Sequence, residues 1–494
     1  MVENVENQTP TVSIKKNYIY SAIYKIFALL IPILITPYLA RVLEPDGNGV
    51  LSFVASIASY FIIAANIGIE TYGQKVISVN RENKAYLKRF LMEITLLRVI
   101  LTAICLIVYY VTFVIILDSH SVLYAIYGIS LMVVAFDFTW FFQGVEDFKK
   151  IAFVNTFSKV LYVVLVFVFI KEKQDLNLAA LVLVLTNALP YFLLLPFLLK
   201  FILHIKVDKK INPFSHFKEC MVYFVPTIAI QIYTILDKTM IGLITQSDFE
   251  NGYYEKAEQL AKLPIIIITT MHIIMRSRIS YYFANKEYDK IKNLTEKSAC
   301  FTLLISIPVV FGLIIIAKRF VPIYLGEGYE ECIPLLYIFS PLILIIGVSN
   351  LLGTHYYTPY DKQRISNRFL IIGAIVNVAL NAVLIYFFKA RGAAISSVVA
   401  ELVITILYLY FARDFFTIMD FIKVGYKYFI AGVVMFLCLI LVNYYLPQGG
   451  WFLILEVAIG VCIYFIMLLI LRDRFLIHAI KGFFYKFIEV LRGK

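Results

Sequence analysis

Charged residues and thiols are scarce in this sequence, and each scarcity removes a class of function. Asp, Glu, Lys and Arg make up 16% of the 494 residues, where a soluble globular chain carries about 25%. That figure fits no soluble fold. Six cysteines are scattered (Cys105, Cys220, Cys300, Cys332, Cys438 and Cys462), with no CxxC and no His at ligand spacing. Nearly all sit in or beside apolar runs, where a free thiol behaves as a small hydrophobe, so disulfide and zinc readings are set aside. No GxxxxGK[ST] loop is present to cradle a nucleotide, so direct use of ATP is not indicated. The net charge of +12 comes without a compact basic and aromatic module, which argues against nucleic acid as a partner. No cofactor and no metal is expected.

What the chain has instead is apolar sequence from end to end. Hydrophobic residues make up 61% of it and aromatic ones 16%, with a mean hydropathy of +0.84. A bilayer-spanning helix needs about 20 mainly apolar residues. Such stretches recur near 17–42, 48–70, 89–117, 120–142, 151–170, 177–203, 219–244, 258–279, 294–317, 331–357, 365–388, 391–412, 425–446 and 451–471. The expectation is an all-α polytopic membrane protein with about fourteen transmembrane helices. The first sixteen residues are polar, with no small-residue cleavage site, so no signal peptide is expected.

Cytoplasmic loops collect Lys and Arg, which tests this list independently. With the N-terminus placed inside, inner loops and tail outnumber outer loops in Lys and Arg by about four to one. Lys171, Lys173, Lys318, Arg319, Lys389 and Arg391 are among the outer exceptions. Both termini then face the cytoplasm. The outer loops are short and carry no catalytic constellation, so the chain is not read as an enzyme.

An internal repeat sets the domain organisation. Asn48-Gly49-Val50-Leu51 joins the first two spans, and Asn251-Gly252-Tyr253-Tyr254 joins the seventh and eighth, 203 residues on (251 − 48). Glu146-Asp147-Phe148-Lys149-Lys150-Ile151 and Tyr360-Asp361-Lys362-Gln363-Arg364-Ile365 join the fourth and fifth spans of each half, at an offset of 214 (361 − 147). Six-span separation keeps both copies in one orientation, which is a parallel repeat. The expected units are a six-helix bundle over 1–210, a second over 211–415, and two extra helices with a basic cytoplasmic tail over 416–494. A gap between the two bundles is the architecture this implies.

Polar stripes at helical spacing mark faces hidden from lipid. They run through Asn17, Ser21 and Lys25 in span one, and Ser52, Ser56, Ser59, Asn66 and Glu70 in span two. In span seven they run through Thr227, Gln231, Thr234 and Lys238, and in span eight through Thr269, His272 and Arg276. Hydroxyls alone serve equally well to bond helix to helix. Charges within spans say more, since each costs at least about 2.5–3.5 kcal/mol on insertion scales. The cations are Lys25, Arg98, Lys159 and Lys238; the acids are Glu93, Asp137, Asp237, Glu401 and Glu456. Snorkelling accounts for any one cation, but Lys25 lies on a polar stripe. Arg98 and Lys159 are expected to pair with acids such as Glu93 or Asp137. Asp237 and Lys238 point about 100° apart on a helix and need different partners.

Leu236-Asp237-Lys238-Thr239-Met240-Ile241-Gly242, followed by Asn251-Gly252-Tyr253-Tyr254-Glu255-Lys256-Ala257, resembles the middle of Wzx-type polysaccharide flippases. The link Leu39-Ala40-Arg41-Val42-Leu43-Glu44-Pro45-Asp46-Gly47-Asn48-Gly49 and the segment Trp140-Phe141-Phe142-Gln143-Gly144 are similar to the same family. These proteins form the polysaccharide-transport branch of the MOP exporter superfamily, beside MATE drug exporters and MurJ-type lipid flippases. The resemblance covers spans one to twelve. It implies an alternating-access transporter in the bacterial cytoplasmic membrane. Its cargo would be undecaprenyl-diphosphate-linked oligosaccharide, moved from inner to outer leaflet for capsule or another surface polysaccharide. Membrane lipids surround it, and a polysaccharide polymerase and glycosyltransferases are possible partners.

By that resemblance Lys25, Arg41 and Arg276 contact headgroup or sugar, since a buried diphosphate needs positive partners. Lys238 and Gln231 of span seven complete the candidate substrate set. MATE relatives driven by protons often carry an Asp in the first helix, whereas this chain has no carboxylate between Asn17 and Arg41. Glu70, Asp237 and Glu401 are the candidate ion-coupling groups, and membrane potential acting directly is the alternative. A MATE-like drug or metabolite exporter is the first rival reading, for which an acid-lined cavity would be expected. A membrane enzyme or polymerase is the second.

Overall fold

The computed structural model of the protein describes residues 14–116, 119–202, 211–445, 447, 449–478 and 480–481. Side chains are described from residue 30 on, except at 202, 225–227, 229–230 and 232–233. The tail from residue 482, the N-terminal residues before 14 and the side chain of Lys25 therefore lie outside the described residues. Every regular element among those described is helical. That suits hydrocarbon, because a helix satisfies its backbone polar groups within one segment. In chain order come α1 (Ile14–Asn66), α2 (Ile69–Val79), α3 (Lys84–Tyr109), α4 (Ser121–Val133), α5 (Thr139–Gly144), α6 (Phe148–Phe169) and α7 (Leu176–Ile202). There follow α8 (Phe217–Thr245), α9 (Asp248–Ala284), α10 (Tyr288–Tyr324), α11 (Cys332–Phe339), α12 (Leu342–Leu352), α13 (Gln363–Phe411), α14 (Ile418–Tyr445) and α15 (Gly450–Ile470).

Among the described residues eleven helical stretches are long and apolar enough to cross a membrane. Two of them fold back on themselves. Glu44 leaves helical geometry inside α1 (φ 57, ψ 176). Asn48 Nδ2 donates to the carbonyl of Leu39 at 3.1 Å and to that of Glu44 at 2.8 Å. Nine residues of straight helix would separate the first pair by about 13.5 Å, so α1 is a hairpin of two arms. α13 does the same at Lys389 (φ 51, ψ −130). There Asn377 Nδ2 reaches Ser397 Oγ at 3.5 Å, where a straight run of twenty residues would span about 30 Å. Asn251 plays the part of Asn48 at the next hairpin, donating through Nδ2 to the carbonyl of Lys238 at 2.9 Å. The two asparagines matched in sequence thus close equivalent turns.

The second sequence match shifts register by one. Phe142 and Gln143 carbonyls accept from the N–H groups of Asp147 and Glu146, at 2.9 and 3.1 Å. Tyr357 and Thr358 carbonyls accept from Lys362 and Asp361 in the same pattern, at 2.9 and 3.3 Å. The left-handed residues are Glu146 (φ 61) and Asp361 (φ 55), so the structural offset is 215 (361 − 146). Lys286 (φ 58) and Arg472 (φ 50) close two further helices likewise. Glycine is the usual residue at this helix-ending position, because a Cβ there is strained. At Glu146 the side chain is held instead by Arg81 at 3.0 Å, and this hydrogen bond keeps the Glu146 carboxyl below its usual range. Lys286 is exposed, and Lys286→Gly is expected to stabilise its unit by about 1 kcal/mol. A denaturation midpoint that fails to rise in the purified variant counts against this account.

The chain divides into two compact units, Met1–Ile235 and Leu236–Lys494. Among the described residues the first holds three apolar cores, one of them gathering Ile31, Ile35, Leu43, Val166 and Ile170. A second gathers Val54, Ile57, Tyr109, Tyr124 and Leu131; the third gathers Ile77, Phe90, Trp140, Phe141 and Leu198. In the second unit, Leu303 and Ile307 of α10 pack against Tyr428, Met435, Tyr464 and Leu468 of α14 and α15. The two C-terminal helices are therefore built onto α10.

Candidate functional site

A charge placed in hydrocarbon finds a partner or is costly, so the polar side chains of each unit gather at a few points. In the first unit the centre is Arg98 of α3, 2% exposed. Its Nη1 donates to the carbonyl oxygen of Asp137 at 2.5 Å and its Nη2 to Asn66 Oδ1 at 2.9 Å. Two carboxylates flank the same Nη2, Asp137 Oδ2 at 3.8 Å and Glu70 Oε1 at 4.0 Å. Asn66 Nδ2 donates to Glu70 Oε1 at 2.5 Å. Arg98 and Asp137 are thus partners, as their sequence positions led one to expect.

Lys159 is not paired as expected. Its Nζ lies 3.3 Å from Asn187 Oδ1 on α7, and no ion pair forms among the described residues. Glu93, the other acid foreseen for it, is engaged elsewhere. Glu93 accepts from Arg89 Nε at 3.0 Å and from the Asn212 N–H at 3.1 Å, and its second oxygen lies 3.0 Å from His216 Nε2. His216 Nδ1 in turn lies 3.0 Å from the Tyr72 hydroxyl. This chain ties the segment before α8 to α2 and α3.

In the second unit Asp237 of α8 is buried and accepts from three neutral donors. Asn381 Nδ2 donates to Oδ1 at 2.6 Å, while the Tyr254 hydroxyl and Ser397 Oγ donate to Oδ2 at 2.5 Å each. Asn377 Oδ1 accepts from Asn381 Nδ2 at 3.1 Å. No cation lies within 4 Å of the carboxylate among the described residues. Lys238 points away and pairs with Glu255 and with Glu258, the latter at 3.4 Å. The adjacent pair has separate partners, as helical geometry requires. Ser397, Asn377 and Asn381 went unnoticed in the sequence, and Tyr254 was read only as part of a repeat and a family motif. The signal was there in Asn377 and Asn381, two amides four residues apart inside an apolar span.

Arg319, placed in an outer loop by sequence, sits buried within α10. Its Nη1 pairs with Glu456 Oε2 of α15 at 2.6 Å, and its Nη2 donates to Asn443 Oδ1 at 3.0 Å. His272 is enclosed by Asn350 Oδ1 (3.1 Å) and Thr302 Oγ1 (2.9 Å). Arg41, Gln231 and Arg276 are exposed on α1, α8 and α9, and Glu401 is half-buried on α13. Within the first unit Glu70 stands beside Arg98; within the second, Asp237 and Lys238 belong to separate clusters. Among the described residues no group of three or more His, Cys, Asp or Glu could hold a metal ion.

A family model described as polysaccharide biosynthesis protein matches residues 14–275, more than half of the chain. The chain belongs to the polysaccharide biosynthesis protein family. Among curated relatives of this family member, a protein of Escherichia coli (strain K12) named as an O-antigen transporter is 24% identical over 417 residues. That match covers 82% of this chain and 98% of the relative. The fold is similar to that of a solved structure described as lipid II flippase MurJ, inward closed conformation, with a TM-score of 0.74 at 15% identity. That superposition covers 93% of this chain and 99% of MurJ. An inward-facing MATE multidrug transporter of the MOP superfamily matches with a TM-score of 0.59 at 13% identity, covering 83% of this chain and 99% of the transporter. The polysaccharide biosynthesis protein is thus a multi-pass membrane protein with a MOP-type fold.

Proposed function

We propose that this protein is an alternating-access flippase for undecaprenyl-diphosphate-linked oligosaccharide repeat units. It moves them from the inner to the outer leaflet of the bacterial cytoplasmic membrane, for capsule or another surface polysaccharide. The family match over residues 14–275 carries the reading. The near full-length match to a relative named for O-antigen transport supports it. It is a transporter rather than an enzyme. With each arm of α1 and α13 taken as a pass, and α8 as another, fourteen passes are proposed, with both termini cytoplasmic. Bundles over 1–210 and 211–415 with an appendage over 416–494 remain the proposed organisation. A polysaccharide polymerase and glycosyltransferases are the proposed partners.

A diphosphate head carries negative charge and needs cationic partners. Lys25, Arg41 and Arg276 are the proposed contacts, with Gln231 offering an amide. Lys238 is the weaker member of the set, because two carboxylates already compensate it. Lys159, which among the described residues has only an amide for partner, joins the set on the same physical ground. Glu70, Asp237 and Glu401 stay the proposed coupling groups.

Deleting the gene is expected to strand lipid-linked repeat units on the inner leaflet. Normal surface polymer in the deletant ends the proposal. In the complemented strain Lys25→Ala is expected to abolish export while membrane insertion persists; full export removes Lys25 from the site. A dye-efflux assay separates the flippase from a MATE-like exporter, which would extrude cationic dyes.

A further inference from the structure

In the first unit the polar layer of Asn66, Glu70, Arg98 and Asp137 lies between the core of Val54, Tyr109 and Tyr124 and that of Ile77, Phe90 and Trp140, and the helices beside α3 lose regular geometry there. α1 ends at Asn66, Ile67 takes φ 39 and Gly68 takes φ 76 before α2 begins. Positive φ at a β-branched residue is an outlier that the surroundings must hold in place. Gly68 has no alternative, since a Cβ there would lie 2.7 Å from the Cys220 carbonyl oxygen of α8. α4 gives way over Val134–Phe136, and Asp137 is extended (φ −78, ψ 103) before α5 begins. Broken membrane helices occur where backbone lines a site rather than lipid.

Below the breaks α2 and α5 interlock. A Cβ on Gly73 would lie 2.4 Å from the Trp140 ring, and one on Gly144 would lie 2.7 Å from Ile77. The two short helices therefore pack as one body, which shares its core with Phe90 of α3 and Leu198 of α7 and is joined to the rest of the bundle through the two breaks at one end and the turns at 80–83 and 145–147 at the other.

Electrostatics give the layer a ligand. One guanidinium faces two carboxylates, so with both ionised it holds one uncompensated negative charge. Asp137 is 7% exposed, and its Oδ1 accepts from the Thr139 N–H at 2.9 Å. Glu70 is the carboxylate water can reach, its side chain 54% exposed. Arg98 Nε is buried and without a hydrogen-bond partner, so the guanidinium is not saturated by its present neighbours. The titratable groups of α8 nearest the break are Glu219, Cys220 and Tyr223, and the Tyr223 hydroxyl accepts from Lys75 at 2.9 Å.

We propose that Glu70 is a proton-binding site whose occupancy Arg98 reads, setting the position of the α2–α5 body. When Glu70 is ionised, Arg98 is shared between the two carboxylates and pins both breaks. When a proton from water occupies the Glu70 carboxylate, Arg98 turns wholly to Asp137, the α1–α2 break is freed, and the α2–α5 body shifts about the break that stays pinned. The inference rests on the flippase reading only in linking this proton to transport.

Trp140 lies inside the moving body, and the chain's other tryptophan, Trp451, is 84% exposed. In full-length protein carrying Trp451→Phe, reconstituted without substrate, Trp140 emission is expected to show a single-proton transition as pH is varied. Glu70→Gln is expected to abolish that transition, and Glu70→Asp to keep it. Persistence of the transition in Glu70→Gln overturns the proposal. So does a response to sodium at constant pH in place of the pH response, which would make the ligand an alkali cation. With a polyprenyl-diphosphate-linked disaccharide as probe, an imposed pH gradient is expected to speed flipping about tenfold in a Glu70-dependent way. Should the probe not flip while the Glu70-dependent transition remains, the site stands and the flippase reading falls.

Discussion

Arg319→Ala is expected to destabilise the second unit by about 3–5 kcal/mol, because it leaves an uncompensated carboxylate in the interior. Arg319 is 3% exposed and Glu456 0%, and the pair is closed by a 2.6 Å hydrogen bond. The pair spans α10 and α15, so its loss should loosen the C-terminal helices first. Replacing both partners, as Arg319→Met with Glu456→Leu, removes the charges together. That double variant is expected to be near neutral or more stable than the parent, since the desolvation cost disappears along with the attraction. The check is a double-mutant cycle on unfolding midpoints of the purified protein in detergent. If the double variant is as unstable as Arg319→Ala, the pair contributes shape or specificity beyond charge compensation, and this account fails.

Apolar periodicity made the helices legible, because length and hydropathy alone decide which stretches can lie in a bilayer. Expected spans at 17–42 and 48–70 are the two arms of α1, and those at 365–388 and 391–412 are the arms of α13. The turns themselves were less legible. Glu44, Glu146, Lys286, Asp361, Lys389 and Arg472 take positive φ without being glycine, so the usual turn signal is missing. Breaks inside spans were hidden for another reason. Ile67 and Val134 are apolar, and hydropathy cannot tell a broken helix from a whole one. The candidate site was legible as charges and illegible as partners. Arg98 was expected beside an acid such as Glu93 or Asp137, and it meets Asp137, 39 residues away. Lys159 was given an acid that Arg89 and His216 occupy, because partner choice depends on helix rotation, which sequence does not report.

Asp237→Asn is expected to leave the fold nearly intact and yet cut export by about a hundredfold, roughly 2.7 kcal/mol of transition-state stabilisation. The two halves of this prediction have different origins. Asp237→Ala would strand three buried donors, at about 1–3 kcal/mol each. Asparagine keeps one acceptor oxygen for Tyr254 and Ser397. Its new amide hydrogens can be met by Asn381 Oδ1, which is buried without a partner, once that amide flips and Asn377 flips with it, so that Asn377 Nδ2 becomes the donor between the two amides. The substitution thus removes the charge and little else, so a loss of export reports use of the carboxylate. Export at the parental level in Asp237→Asn would make Asp237 a purely structural acceptor and withdraw it from the coupling set. The variant also separates the two units. If Glu70 acts within the first unit alone, Trp140 keeps its pH transition in Asp237→Asn even where export is lost. If the transition disappears as well, protonation at Glu70 is linked to the state of the second unit, and the two carboxylates belong to one coupling equilibrium.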